Sequence, residues 1–522
     1  MTAPAIEPVE ALRRRQFLRL SGGTLAALAA GCTPRAVQRP RESTLIIAYP
    51  GPEQDMNPVQ DEFPRLLVFL PLIGENANQE TEGRLAERWE HSPDYREWTF
   101  HLRPGVRWHD GVPVTAHDVK FSLELVAAPT VDGIGADDIE SITLIDNLTV
   151  RVRYRGIYAE RRIDGWEVVY PKHLLERLDP ARIQEWDFWT HPVGNGPYRF
   201  VRFVQHSLME LRANPDYYRG KPRIERVVIK FLRGQGAGVT DLLKGDVDIL
   251  MGVKPSQGGL GASIRRYYSL FEKPYAILWN NTHPLFHDRH IRQALTLAID
   301  RRELCQVLNL PDSLPIVDGP FTWHQVQRGD LPAPLPHDPQ QARALFEAAG
   351  WQQREPGGVR VRDGQAFQFT MLCSAYPGFS QIATYVQAAL KRVGLSMAIQ
   401  PLDGGLIGRR ISAGQFDAVP TLTAWSPQYW EGEFGEHSPL GYHNSTVIGL
   451  LKRLPLALDP DEQSRIRRQI TEIFRVDVPA TFLFPRADIM LAHRRVRGLS
   501  SPWRANPLAV IADLSLDNRS PT

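Results

Sequence analysis

At 522 residues the chain has room for three or four domains of roughly 150 residues each. Hydrophobic residues make up 43% and charged residues 23%, a globular balance that excludes a disordered chain and a multi-span membrane protein. The formal net charge of +2 arises before Cys32, where Arg13, Arg14, Arg15 and Arg19 outnumber Glu7 and Glu10. The neutral remainder offers no broad phosphate-binding surface, so no nucleic acid is expected as a partner.

The N-terminus reads as an address. Arg13-Arg14-Arg15-Gln16-Phe17-Leu18 leads into a short apolar run with small residues at its end, the make-up of an export signal. The run is far shorter than the roughly 20 residues that span a bilayer. Its arginine core resembles a twin-arginine signal, and Ala29-Ala30-Gly31-Cys32 resembles a lipoprotein processing site, with Leu28 one position early. Residues 1–32 are therefore expected to be signal, with a lipid on Cys32 anchoring the exported chain to the membrane, and residues 33–43 a linker. The plainer alternative is a cleaved signal with an incidental cysteine. Cys305 and Cys373 sit in apolar surroundings and are expected to be free core residues.

Strand-like and helix-like segments alternate along the body. Thr44–Tyr49 reads as an opening strand and Trp98–Leu102 as another. A helix follows Thr115-Ala116-His117-Asp118, a capping-box-like start with Val119, Leu123 and Val126 on one face. Ile142–Ile145 and Leu148–Tyr154 flank a turn at Asp146-Asn147; Tyr198–Gln205 and Leu208–Ala213 flank a turn at His206-Ser207. Arg226–Leu232 is strand-like, and Gly234, Gly236 and Gly238 have the wrong spacing for a dinucleotide site, so a loop is expected there. Helix starts are expected at Asp300, at Asp338-Pro339 and at Asp459-Pro460. Ile382, Tyr385, Val386, Ala389 and Leu390 form one helical stripe closed by Gly394, and Ser396–Pro401 is a strand. Such a mixture over nearly 500 residues means α/β lobes with more than one core.

Catalytic signatures are missing: no Gly-x-Ser-x-Gly, no His-Glu-x-x-His and no phosphate-binding loop. His283, His287 and His290 surround Pro284 and cannot share a helical face, so no metal and no cofactor is expected. Aromatic residues are more informative. Trp425, Tyr429 and Trp430 cluster in a loop-like stretch with Pro427 and Gly432, and suggest a wall against which a ligand packs; the alternative is that some fill a core. Glu431 and Glu433 follow and offer charge for a cationic group.

Several of these segments, in order, resemble one family. They are Leu85-Ala-Glu-Arg-Trp89, Trp98–Gly111, Val114–Ser122, Pro192-Val-Gly-Asn-Gly-Pro-Tyr198, Asn214–Tyr217 and Leu243–Ile249 in the first half. Asn280-Asn-Thr282, Arg292-Gln-Ala-Leu295, Ala298-Ile-Asp300, Ala348-Ala-Gly-Trp351, Val393-Gly394 and Phe416-Asp417 follow in the second. The set resembles the family 5 solute-binding proteins of bacterial ABC importers, the dipeptide/oligopeptide-binding branch, from about residue 44 to 508.

The resemblance implies a periplasmic-binding-protein-like α/β fold (type II, cluster C): two lobes, an extra inserted domain and an interlobe ligand cleft. Lobe I would take residues 44–75, 190–272 and 486–522, the inserted domain 76–189, and lobe II 273–485, with crossings near Lys273–Leu278 and Phe484–Asp488. It implies a non-enzymatic, exported monomer that closes by a hinge over a peptide or peptide-like solute and passes it to the permease subunits of an ABC importer. Peptide binders of the family commonly carry an Asp shortly after the tryptophan matching Trp425, which neutralises the peptide's ammonium. Here the loop has Glu431 and Glu433 and no Asp. That leaves a non-peptide solute, an oligosaccharide or metal chelate, as the alternative. An exported hydrolase would need a convergent nucleophile and base, and a regulator would need a helix-turn-helix segment where the export signal stands.

Overall fold

The computed structural model describes residues 43–49, 65–75, 81–127, 139–156, 168–232, 235–253, 260–321, 323–376, 378–423, 427–457, 459–500 and 511–517. The signal, Cys32 and Trp425 lie outside them, as does the side chain of Tyr429.

Among the described residues one ten-stranded sheet dominates. Its first strand is β1 (Thr44–Tyr49); β2 (Ala86–His91), β3 (Glu97–Leu102), β4 (Ile139–Asp146) and β5 (Thr149–Tyr154), interposed in sequence, form a smaller sheet of their own. The large sheet resumes with β6 (Tyr198–Val204), β7 (Leu208–Ala213), β8 (Arg226–Phe231), β9 (Ile249–Val253) and β10 (Ile264–Trp279). It ends with β11 (Gln368–Cys373), β12 (Ser396–Pro401), β13 (Ala418–Leu422) and β14 (Ala480–His493). The order across it is β12-β11-β13-β10-β14-β9-β1-β8-β7-β6. β1 runs parallel to β8 and β9, and β11 runs parallel to β12 and β13. Buried β-branched and aliphatic residues such as Ile47, Ile229 and Ile249 suit strands covered on both faces.

Helices pack on this sheet where the sequence provides caps. Asp300 accepts from Arg302 N and Glu303 N at the start of a helix over Arg301–Val307. Asp338 does the same for Gln340 and Gln341 ahead of Pro339–Ala348, and Asp459 accepts from Asp461 N at the head of Pro460–Asp477. Each cap satisfies amides that the first helical turn leaves open. The stripe of Ile382, Tyr385, Val386, Ala389 and Leu390 is buried on a helix over Phe379–Arg392. Gly394 follows at φ +85°, a left-handed stop that glycine adopts without Cβ strain.

Among the described residues two large hydrophobic cores are distinct, beside a smaller cluster around Leu242, Leu250 and Leu491. One gathers Ile277, Leu295, Phe367, Leu390 and Leu483. The other gathers Leu45, Trp108, Tyr198 and Ile229 with Phe100 and Val150 of the small sheet β2-β3-β5-β4. The small sheet is thus separate in hydrogen bonding and continuous in packing with the second core. β10 and β14 serve both: Leu278 and Leu483 lie in the first core, Tyr267 and Met490 in the second.

Three local expectations are corrected. The β4–β5 turn is at Asn147-Leu148, because Asp146 pairs with Thr149 and its carboxylate accepts from Leu148 N at 2.7 Å. The β6–β7 turn has three residues, Gln205, His206 and Ser207, with His206 at φ +57°. Gly238 belongs to a helix over Gln235–Lys244 and not to a loop. A Cβ there would come within 2.6 Å of Leu250 Cδ1 and 2.9 Å of Leu232 Cδ1, so glycine lets this helix lie close on the sheet.

Candidate functional site

The two strands shared by both cores, β10 and β14, pair antiparallel along most of their length. Their ladder is irregular over one stretch, with register shifts on both sides of Pro274. Leu270 pairs with Ala487 and Pro274 with Pro485, so Phe271, Glu272 and Lys273 face only Arg486. Two opposed prolines remove two amide donors where the register already slips. Tyr275–Leu278, Phe484 and Ala487 belong to the first core and the same strands reach the second at Tyr267 and Met490, so the irregular stretch lies in the first core, next to the passage between the two.

The side chains at this crossing carry charge and aromatic surface. Arg486 donates from Nε and Nη2 to the two oxygens of Asp488 at 2.7 and 2.6 Å. Its guanidinium lies 4.7 Å from the Phe271 ring centre and 6.0 Å from that of Tyr376. Burial works against this guanidinium, yet the Asp488 bonds outweigh it and hold the group more firmly protonated. Lys273 is different: burial, then the Arg486 charge, lowers its ammonium below the ordinary lysine range. Tyr275 packs edge-on against Phe379 and Phe484, and burial raises its hydroxyl pKa.

Strand ends from both cores converge here. β9 ends at Val253, paired with Ile489 beside Asp488. β13 ends at Leu422, paired with Tyr275. Tyr376, three residues past the end of β11, reaches Arg486. Carboxyl ends of parallel strands are where open α/β sheets hold ligands. Thr423, fully buried, donates from N and Oγ1 to Pro274 O at 3.0 and 3.2 Å.

The remaining aromatic-loop residues fall on a helix over Pro427–Phe434. Trp430 is 3% exposed and stacks with Phe434, Phe474 and Phe482 at 5.4, 6.4 and 5.7 Å. It fills the core and leaves no ring face for a ligand, so the expectation of a ligand wall is corrected for this ring. Its spacing of four from Phe434 puts both on the buried side of the helix. Glu431 and Glu433 are half-buried on the same helix; Ser438 Oγ donates to Glu433 O at 2.6 Å.

Residues 80–440 match the family described as bacterial extracellular solute-binding proteins, family 5 Middle. The chain belongs to that family. It is 25% identical over 406 residues to the oligopeptide-binding protein AppA of Bacillus subtilis, covering 73% of this chain and 74% of the relative. It is 24% identical over 475 residues to di/tripeptide-binding protein 4 of Pseudomonas aeruginosa, covering 83% and 86%. Among solved structures, AppA from Bacillus subtilis with a nonapeptide aligns with a TM-score of 0.68 at 22% identity, over 91% of this chain and 99% of that one. NikA from Brucella suis with Fe(III)-EDTA aligns at 0.75 and 19%, over 91% and 100%. The fold is that of the family 5 binding proteins.

The family's sequence motifs turn out to be joints of this family 5 scaffold. Asn195 N and Gly196 N both donate to Val68 O, at 3.1 and 2.8 Å, and a Cβ on Gly194 would lie 2.0 Å from that oxygen. His109 seals the joint, with Nδ1 3.2 Å from Gly194 N and Nε2 3.1 Å from Gly196 O; burial pushes its pKa down to about 4. Asp248 accepts from Ile46 N at 2.8 Å and from Arg495 at 2.5 and 2.7 Å, tying β1 and β9 to the returning chain. Arg292 donates to the carbonyls of Val478, Phe286, His287 and Asp477. These buried groups explain why the motifs report fold more than ligand.

Other candidate groups have separate partners. His287 Nδ1 lies 3.0 Å from Pro284 O, His290 Nδ1 3.0 Å from Asp288, and His283 3.6 Å from Asp417. Cys305 and Cys373 are buried free thiols, and burial pushes Cys305 up to about 12. Among the described residues no helix is long and apolar enough to cross a membrane. None of Lys273, Tyr275, Tyr376, Arg486 and Asp488 is a site candidate by sequence motif. The available signal was Lys273-Pro274 and Pro485-Arg486, two prolines inside strand-like runs.

Proposed function

We propose that the chain is the solute-capturing subunit of an ABC importer, taking a peptide or peptide-like solute between two lobes that hinge where β10 and β14 cross. The observation that carries this reading is the break at Pro274 and Pro485, set where strand ends of both cores meet. A ligand touching both sides binds the closed form better than the open one and shifts the population toward closure. The closed form then docks on the permease, and the solute leaves chemically unchanged. Peptide as the solute is supported by the oligopeptide- and di/tripeptide-binding relatives. Trp425 is the proposed aromatic contact, Tyr429 a second, and Glu431 or Glu433 the partner of a ligand ammonium. Export through a twin-arginine signal and a lipid on Cys32 complete the proposal, with lobe I at 44–75, 190–272 and 486–522, an inserted domain at 76–189 and lobe II at 273–485.

A second reading, a non-peptide solute, is favoured by the loop itself, which lacks an Asp between Trp425 and Gly435. The solved neighbour holding Fe(III)-EDTA is in keeping with that alternative. Native mass spectrometry of the purified protein, followed by release and fragmentation of whatever it carries, tests both. A bound peptide supports the first reading, a bound chelate or sugar the second. A solute altered on incubation overturns both.

A further inference from the structure

An unusual pair of charges lies at the crossing. Lys273 and Arg486 flank the Pro274–Pro485 pair on neighbouring strands, where the register slips, and the Arg486 charge bears on Lys273. Like charges placed so are destabilising unless an anion lies between or beside them. Two anions lie in this stretch: Asp488, whose two oxygens are both taken up by Arg486, and Glu272, which has interactions of its own. Lys273 has no hydrogen-bond or ion-pair partner among the described residues, and Arg486 is the one charge that bears on it. The hydroxyls of Tyr275 and Tyr376 are likewise without partners among the described residues. Tyr275 Oη stands beside Gly378, 3.6 Å from where a Cβ would be. The crossing is therefore rich in donors whose acceptor is missing. A half-buried ammonium is kept in such a place only at a cost to the empty protein.

We propose that Lys273, with the hydroxyls of Tyr275 and Tyr376, is the seat of a carboxylate carried by the captured solute. Arg486 and Asp488 form a closed pair that shapes the seat and sets its sign. The proposal rests on reading the chain as a solute binder and adds the charge of the solute. The carboxylate occupies the point about which the lobes turn, where an ion pair with Lys273 joins ligand binding to the geometry of the hinge.

Isothermal titration with tri-alanine, tri-alanine amide and Ala-Glu-Ala amide, on the full chain and on Lys273→Met, tests this. The wild type is expected to bind tri-alanine about tenfold or more tightly than its amide, and Lys273→Met to erase that difference. If Ala-Glu-Ala amide shows the Lys273-dependent gain instead, an acidic side chain is the source of the carboxylate and the seat stands. Equal affinity for all three in the wild type, or a preference that survives in Lys273→Met, overturns the seat and leaves peptide binding intact. If no peptide binds, the peptide reading fails and succinate decides. A thermal midpoint that rises with succinate in the wild type but not in Lys273→Met supports the seat; the same response in both proteins, or none, overturns it. The variant keeps the aliphatic stem and the Arg486–Asp488 pair, so an unchanged or higher midpoint without succinate shows that it has folded.

Discussion

Acidification should loosen the joint around Gly194-Asn195-Gly196 through one imidazole. His109 is held neutral: Nδ1 accepts from Gly194 N at 3.2 Å while Nε2–H donates to Gly196 O at 3.1 Å. A proton on Nδ1 abolishes the first bond and places a charge in a buried site. Burial accordingly pushes the folded pKa to about 4, against about 6.5 in an unfolded chain. Because the folded value is the lower one, the stabilisation is complete above the unfolded pKa. It fades as pH falls from about 6.5 toward about 4, where the unfolded chain takes up the proton first. The full difference corresponds to about 3 kcal/mol, and between pH 7 and pH 5 roughly 2 kcal/mol is lost. Urea unfolding followed by tryptophan fluorescence at the two pH values, on wild type and His109→Gln, isolates this contribution, since other titrations are common to both proteins. The wild type should lose about 2 kcal/mol more than the variant on acidification. Equal losses would refute the assignment of a buried neutral ring.

Two tryptophans five positions apart in sequence should separate cleanly. Trp425→Ala is expected to weaken solute binding in titration calorimetry with the thermal midpoint little changed, whereas Trp430→Ala should cost about 3–5 kcal/mol of stability because it empties a buried aromatic stack. Arg495→Met leaves Asp248, 1% exposed, without its guanidinium and should cost about 3–5 kcal/mol in denaturant unfolding. Cys32→Ser should move the exported protein from the membrane pellet to the soluble fraction; persistent sedimentation with membranes would refute lipidation at that thiol.

What the sequence made legible was local. Asp300, Asp338 and Asp459 announce helices because a cap acts on amides two or three residues away, and the stripe from Ile382 to Leu390 follows from helical period alone. The turn at Asn147-Leu148 was misjudged by one residue since Asp146 uses its side chain to draw the amide of Leu148 inward. Gly238 was taken for a loop residue because its reason for being glycine lies in Leu232 and Leu250, neither of them a helical neighbour. Trp430 and Trp425 look alike as letters; burial against Phe474 and Phe482 tells Trp430 apart. The resemblance implies crossings near Lys273–Leu278 and Phe484–Asp488, but which side chains meet there is the least legible part. Pro274 and Pro485 are more than 200 residues apart in the chain, and only strand pairing brings them opposite each other.

The proposed hinge is open to direct measurement. In a Cys32→Ser chain the two remaining cysteines are buried with raised pKa values and react slowly with thiol reagents. Exposed Leu243 and Leu456 can then be replaced by Cys and carry a donor–acceptor dye pair, one on each side of the crossing. Adding the solute that co-purifies with the protein should shift the transfer efficiency toward a single closed population, reversibly on dialysis. An efficiency that stays constant from empty to saturated protein would contradict capture by closure about β10 and β14.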